Sequence, residues 1–159
     1  MHRIAAGVYC FSRLSIFQYI LVDQHKITLI DTGLAMFSAA LWKSIWRAFP
    51  DHTIDQILIT HADGDHCGGI PKILEHFPEV KIATSLKEAA AMENGVMSRE
   101  LKPTNLLNAL VVRFFSPFFK AEPVIAGEIL RPGQILPIMG GLTVIDSSGH
   151  TPQHLSFYL

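Results

Sequence analysis

The stretch "ITHADGDHCGGI", residues 59–70, decides how the rest of the chain is read. From His61 to His66 it carries two histidines and two aspartates, and Gly68 and Gly69 follow almost at once. Imidazole nitrogens and carboxylate oxygens are the donors that first-row metal ions take. His61 and Asp63 are two apart, so in extended backbone their side chains leave on one side. Gly64 can adopt a positive φ and is expected to turn the chain, so that Asp65 and His66 face a neighbouring position. One loop would then serve two adjacent metal ions, His61 and Asp63 holding the first, Asp65 and His66 the second. His150 follows another strand–glycine junction, "SSGH", and is the natural third ligand of the first ion. Such a pair would generate hydroxide from water near neutral pH and polarise a carbonyl or phosphoryl group. Ligating imidazoles need their other nitrogen held; Asp31 and Thr32, ending a nearby strand, are candidates for that role or for orienting the loop.

Working outward, "IDQILIT" is a short continuous apolar run, the pattern of a buried strand that delivers the chain into the loop. Residues 3–12 read as one strand, and "FQYILVD" and "KITLIDTG" as a hairpin around Gln24-His25. Leu34, Phe37, Leu41, Ile45 and Ala48 recur at helical spacing, with Trp42, Trp46 and Phe49 widening the stripe into a core-facing helix stopped by Pro50. Pro71 opens a helix over 71–77, "VKIAT" is a strand, and 85–95 is a helix with Ser85 as cap and Gly95 as stop. Residues 96–121 form a probable-insertion pattern of helical character, and several short strands follow, the last feeding "GHTPQH". The order of strands and helices indicates one mixed α/β domain over 1–159, helices covering a sheet.

Net charge is −1, so neither a nucleic-acid footprint nor attraction to anionic lipid is expected. Charged residues are 17%, against about 25% in typical soluble domains, which suits a well-buried core or an apolar face awaiting a partner. The apolar segment 106–119 is short and broken by Arg113 and Pro117, so a core or lid helix is expected there, not a membrane span. Phe114, Phe115, Phe118 and Phe119 either line a hydrophobic pocket or simply pack. The N-terminus has no unbroken apolar stretch of the signal-peptide kind, and two cysteines make no disulfide framework, so a reduced cytoplasmic domain is expected.

Three segments together resemble one family. "THADGDHCGG" is similar to the T-H-x-H-x-D-H-x-G-G signature of the metallo-β-lactamase fold superfamily, "GHTPQHLSFYL" to its G-H-T-P-G-H-x-S segment, and "LIDTG" to a third recurring piece, all in register. The resemblance is to the hydrolase branch that includes glyoxalase II and lactonases, and covers the N-terminal half of that fold. It implies an αββα sandwich, here the first β-sheet plus flanking helices with the second half largely missing, and a dinuclear, usually zinc, centre. Carried over, His61, Asp63 and His150 hold the first metal, Asp65 and His66 part of the second, and Asp65 orients the nucleophilic water. His154 packs behind the site, and Cys67 occupies a small packing position.

Two departures carry information. Asp63 stands where the signature has its second histidine, which hardens the site towards manganese or iron. The bridging aspartate and final histidine of the pattern lie beyond Leu159. The implied activity is hydrolysis of an ester, thioester, lactone or related bond in a small-molecule substrate. An iron redox enzyme is the alternative, since flavodiiron reductases of this fold carry glutamate at the position of Asp63; a non-catalytic assembly half is the other. Either a C-terminal half or self-association is expected to cover an apolar face.

Overall fold

The computed structural model describes residues 1–99, 105, 109, 110, 113, 114 and 121–159. The N-terminal strand splits in two. β1 (His2–Ala5) and β2 (Val8–Arg13) form an antiparallel hairpin in which Arg3 pairs with Tyr9. Gly7 causes the split: its φ of 70° suits a tight turn, and a Cβ there would lie 2.8 Å from the Val22 carbonyl. β3 (Ile16–Asp23) and β4 (Lys26–Ile30) form the expected hairpin, closed at Asp23–Lys26 around Gln24 and His25.

A single 3-10 turn then leads into α1 (Ser38–Ala48), which buries Leu41 and Ile45. The stripe is narrower than expected: Trp42 and Phe49 lie against the core, but Trp46 is 53% exposed and Ala48 is exposed. A helix docked on a flat sheet buries a stripe, and Trp46 sits beyond its edge. β5 (Thr53–Leu58) delivers the ligand loop, which contains α2 (Gly64–Cys67) and leads to α3 (Ile70–Leu74). β6 (Lys81–Thr84) and α4 (Leu86–Glu93) follow. The expected insertion over 96–121 falls largely outside the described residues; within it, Phe114 is exposed.

Among the described residues the chain builds two sheets. The larger runs in chain order from β1 to β7 (Glu128–Ile129), antiparallel as far as β4 and parallel from β4 to β7. The smaller, antiparallel sheet consists of β8 (Ile135–Leu136), β9 (Leu142–Asp146) and β10 (Leu155–Tyr158). Strand alternation divides the core between the two faces of the large sheet. Ile20, Ile57 and Ile82 pack with Leu41, Ile73 and Met92 of the helices, whereas Leu21, Leu58 and Ala83 pack with Leu136, Val144 and Leu155 of the small sheet. This face of the first sheet is covered within the chain, because residues from Ile135 onward form the second. The bare apolar surface lies one layer further out, where Ile135, Ile145 and Tyr158 are exposed on the small sheet. No helix among the described residues is long and apolar enough to cross a membrane.

Parallel strands end together, and the loops leaving β4 and β5 meet at their carboxyl ends, the usual position for a site in such sheets. The loops leaving β6 and β9 close the same edge.

Candidate metal centre

His61 and Asp63 are 2% and 3% exposed, and Asp63 lies in extended backbone with a ψ of 140°. Their side chains meet, His61 Nε2 standing 3.6 Å from Asp63 Oδ2. From the loop after β9, His150 brings its own Nε2 to 3.6 Å from the same oxygen. One donor atom from each of the three residues lies within 4.8 Å of the others. Donors about 2.1 Å from a tetrahedral ion stand about 3.4 Å apart, so the set is close to ligating geometry.

Gly64 does not turn the chain as expected, because its backbone is helical. The redirection comes instead from the step between extended Asp63 and α2, whose first turn forms when the Asp63 carbonyl accepts from the amides of His66 (2.8 Å) and Cys67 (3.1 Å). Asp65 and His66 consequently sit beside the triad on a helical turn, His66 Nε2 being 3.7 Å from Asp65 Oδ2 and its ring centroid 4.0 Å from that of His61. The paired glycines have a packing cause: a Cβ on Gly69 would lie 2.4 Å from the Thr32 carbonyl.

Asp31 ends β4 with a φ of 60°, unusual for a residue with a side chain. That conformation aims its buried carboxylate back at the loop. Oδ1 accepts from the Thr60 amide (2.9 Å), and Oδ2 accepts from the Thr60 hydroxyl (2.9 Å) and meets His66 Nδ1 at 2.7 Å. Having given its proton to Asp31, the Thr60 hydroxyl accepts from His61 Nδ1 at 2.9 Å. Both imidazoles thereby hold a proton on Nδ1 and keep the Nε2 lone pair free. Thr32 orients the following turn: its hydroxyl donates to the His66 carbonyl (3.0 Å) and accepts from the Gly69 amide (3.1 Å). His154 stands behind the triad, its ring 4.8 Å from that of His61 and its Nδ1 2.8 Å from Ser147 Oγ.

Five buried side-chain polar atoms have no hydrogen-bond partner among the described residues: His52 Nδ1, Ser98 Oγ, Arg99 Nε and, within the converging set, His61 Nε2 and Asp63 Oδ1. Buried donors and acceptors are almost always satisfied, and two of these orphans sit together on the three residues that converge. An ion would satisfy them.

The family model of the metallo-beta-lactamase superfamily matches residues 12–159. The chain belongs to the metallo-β-lactamase superfamily. It is 26% identical over 143 residues to the probable metallo-hydrolase YflN of Bacillus subtilis, a match covering 86% of this chain and 52% of that protein. It is 35% identical to the rubredoxin-oxygen oxidoreductase of Megalodesulfovibrio gigas over 74 residues, 46% of this chain and 18% of that one. A solved metallo-β-lactamase of Cronobacter sakazakii, described by its HARLDQ motif, superposes with a TM-score of 0.75 at 22% identity, over 96% of this chain and 54% of that one. That likeness shows the fold. The chain spans about half the length of YflN and of the Cronobacter protein.

Within this superfamily site, three residues escape the sequence reading. Thr60 is the hinge of the hydrogen-bond relay, and its signal was its place directly before His61. Arg99 donates from Nη2 to Asp63 Oδ2 at 2.6 Å, from an irregular segment that gave no sign of it. Glu88 is fully buried, although "SLKEAAAMENG" reads as a surface helix; its spacing to buried Ala91 and Met92 was the available clue.

The electrostatics follow from these contacts. Burial opposes the charge of Asp63, but the adjacent His61 imidazole and the hydrogen-bonded Arg99 guanidinium outweigh it and hold the carboxyl well below the usual range. Burial would also lower His66, yet Asp31 dominates and raises it above an ordinary histidine. His150 and His154 move down, each mainly through burial, with Arg99 and His61 adding for the former and His61 for the latter. Cys67 is 2% exposed, and burial pushes its thiol up to about 12. It is a packing residue with no thiolate to offer as nucleophile.

Proposed function

We propose that the chain is the metal-binding portion of a metal-dependent hydrolase acting on an ester, thioester, lactone or related bond in a small-molecule substrate. The observation that carries this reading is the pair of unpartnered buried atoms, His61 Nε2 and Asp63 Oδ1, inside a three-residue set of ligating geometry. His61, Asp63 and His150 would hold the first ion, and Asp65 and His66 would contribute to a second. Zinc suits the imidazoles, while the carboxylate of Asp63 widens the choice to manganese or iron. When bound, the metal would acidify a water and polarise the scissile carbonyl.

The chain's own residues prepare for that chemistry. Thr60 and Asp31 fix the imidazole tautomers, and Arg99 offsets the buried charge of Asp63 from the solvent side. Asp65, a fifth exposed and free of the Asp31 network, is placed to orient water and take its proton. Asp65→Asn is expected to lower turnover by at least 10²-fold, the usual contribution of a positioned base, with the ion at His61, Asp63 and His150 retained and the melting temperature unchanged. Full activity in that variant would remove Asp65 from the mechanism. The hydrolase reading is itself tested by metal analysis of protein purified without added metal, followed by assay on ester, thioester and lactone substrates.

A specific observation favours one second reading, an iron redox centre: a carboxylate occupies the position of Asp63, and 74 residues of the chain are 35% identical to an oxidoreductase. Stoichiometric iron in a coloured, oxygen-responsive centre would select it over the hydrolase. Buried, unpaired Cys10 and Cys67 suit the cytoplasm under either reading.

The exposed Ile135, Ile145 and Tyr158 of the small sheet call for a covering layer, supplied by further chain or by a second copy. Sedimentation of the 159-residue chain should therefore show concentration-dependent association; a strict monomer that unfolds cooperatively contradicts the need for a cover.

A further inference from the structure

The two ligand loops come from distant parts of the sequence, and their separation sets the metal geometry. Glu88, the third residue of α4, lies between them and is fully buried. Its Oε2 accepts from the Ala62 amide at 2.9 Å, between His61 and Asp63. Its Oε1 accepts from the Thr151 hydroxyl at 2.6 Å, directly after His150. We infer that Glu88 is a positioning residue that clamps the loop of His61 and Asp63 to the loop of His150, one carboxylate oxygen on each. The inference rests on the proposed reading of those three residues as metal ligands.

Neighbouring contacts show that the start of α4 is built to grip the second loop. Ser85 occupies the cap position, yet its hydroxyl makes no capping bond and donates to the Gln153 carbonyl at 2.7 Å. The Lys87 amide donates to Gln153 Oε1 at 2.9 Å. A buried carboxylate is costly to place, and apolar residues at positions 91 and 92 show that this helix face has no general need for one. What distinguishes position 88 is that two buried donors, 1% to 3% exposed at Thr151 and Ala62, converge on it from the two loops. Satisfying both with one rigid acceptor sets the distance between them. Metal sites tolerate only a few tenths of an ångström in that distance, so the clamp acts on affinity and not only on stability.

The test uses three variants of the 159-residue chain: Glu88→Gln, Glu88→Leu and Thr151→Val. Zinc affinity is measured by competition with a chromogenic chelator, and hydrogen exchange is followed in the metal-free protein at residues 60–63 and 148–152. Glu88→Leu is expected to weaken zinc binding by about 10- to 100-fold, the usual effect of losing a group that orients ligands, and to speed exchange in both loops together. Glu88→Gln retains an acceptor for Ala62 and a partner for Thr151, and should recover most of the affinity. Thr151→Val keeps the Ala62 bond, so it should loosen 148–152 alone and give a smaller loss. Should Glu88→Leu fail to fold, the milder Thr151→Val decides. Unchanged zinc affinity in folded variants, or exchange that rises evenly along the chain, overturns the clamp. A wild-type chain that binds no zinc refutes the metal reading, while the paired exchange of the two loops still decides whether Glu88 joins them.

Discussion

Asp63→Ala is expected to abolish metal binding while costing the metal-free protein only about 1–2 kcal/mol of stability. The two carboxylate oxygens of Asp63 are unequally satisfied. Asp63 is buried, and only one of its oxygens is well served: Oδ2 receives Arg99 at 2.6 Å, whereas Oδ1 has no partner among the described residues. A desolvated carboxylate with half its capacity unmet is a cost to the fold. Removing it forfeits the Arg99 pair, but that side chain is 29% exposed and can return its charge to water. The lost pair and the relieved desolvation offset in part, leaving a net loss of about 1–2 kcal/mol. Metal binding has no such compensation, because Asp63 Oδ2 stands 3.6 Å from both imidazole nitrogens and lies between the two histidines of the set. Thermal melts with and without added zinc read both halves at once. Wild type should gain stability with zinc in proportion to occupancy; Asp63→Ala should not respond at all. Asp63→His, which restores the residue type of the family signature, should bind zinc and lose tolerance for manganese. A zinc-induced rise in Asp63→Ala equal to that of wild type would show that the ion does not depend on this carboxylate.

The outline of this site was legible in the sequence because its donors are packed into one loop and one strand end. His61, Asp63 and His150 meet as their spacing implied. The support of the loop was half legible. Asp31 and Thr32 could be named from their place at a strand end, but which imidazole each would hold depended on the positive φ at Asp31, which spacing does not encode. Gly64 shows the opposite failure. A glycine between two ligand pairs suggested a left-handed turn, whereas a helical turn held by the Asp63 carbonyl redirects the chain with ordinary backbone. Arg99 was out of reach, since it enters from a segment without periodicity. Glu88 was hidden by composition, an acid beside a lysine in an alanine-rich helix. The second sheet was underestimated for a simpler reason: β8 to β10 are short strands broken by Gly133, Gly140, Gly141 and Gly149, and only their pairing and shared burial make them a layer.

Asp31 carries the larger consequence for stability. Its carboxylate is 4% exposed and receives the Thr60 amide, the Thr60 hydroxyl and His66 Nδ1. Asp31→Ala would strand all three donors, at about 1–3 kcal/mol for each left unmet in the interior. It would also place an alanine at a φ of 60°, a further cost of about 1–2 kcal/mol. Allowing for relaxation and water entry, the expected loss is about 3–5 kcal/mol, a large part of the 5–15 kcal/mol typical of a domain. Denaturant titration should show the midpoint falling sharply. Asp31→Asn separates folding from function, since asparagine accepts the left-handed backbone and still offers one oxygen to the Thr60 amide. Its amide nitrogen cannot accept from His66, however. Without that partner the His66 proton is free to move to Nε2, the atom that would face a metal, and the stabilised imidazolium of the metal-free protein is lost. The His66 ring should therefore titrate above an ordinary histidine in wild type and fall in Asp31→Asn, while His150 and His154 remain below it in both. In the same variant, metal content should drop by the ion assigned to Asp65 and His66 while the one at His61, Asp63 and His150 stays. An unaltered His66 titration in Asp31→Asn would mean that the 2.7 Å contact does not govern the proton, and that the tautomer of this ligand is set elsewhere.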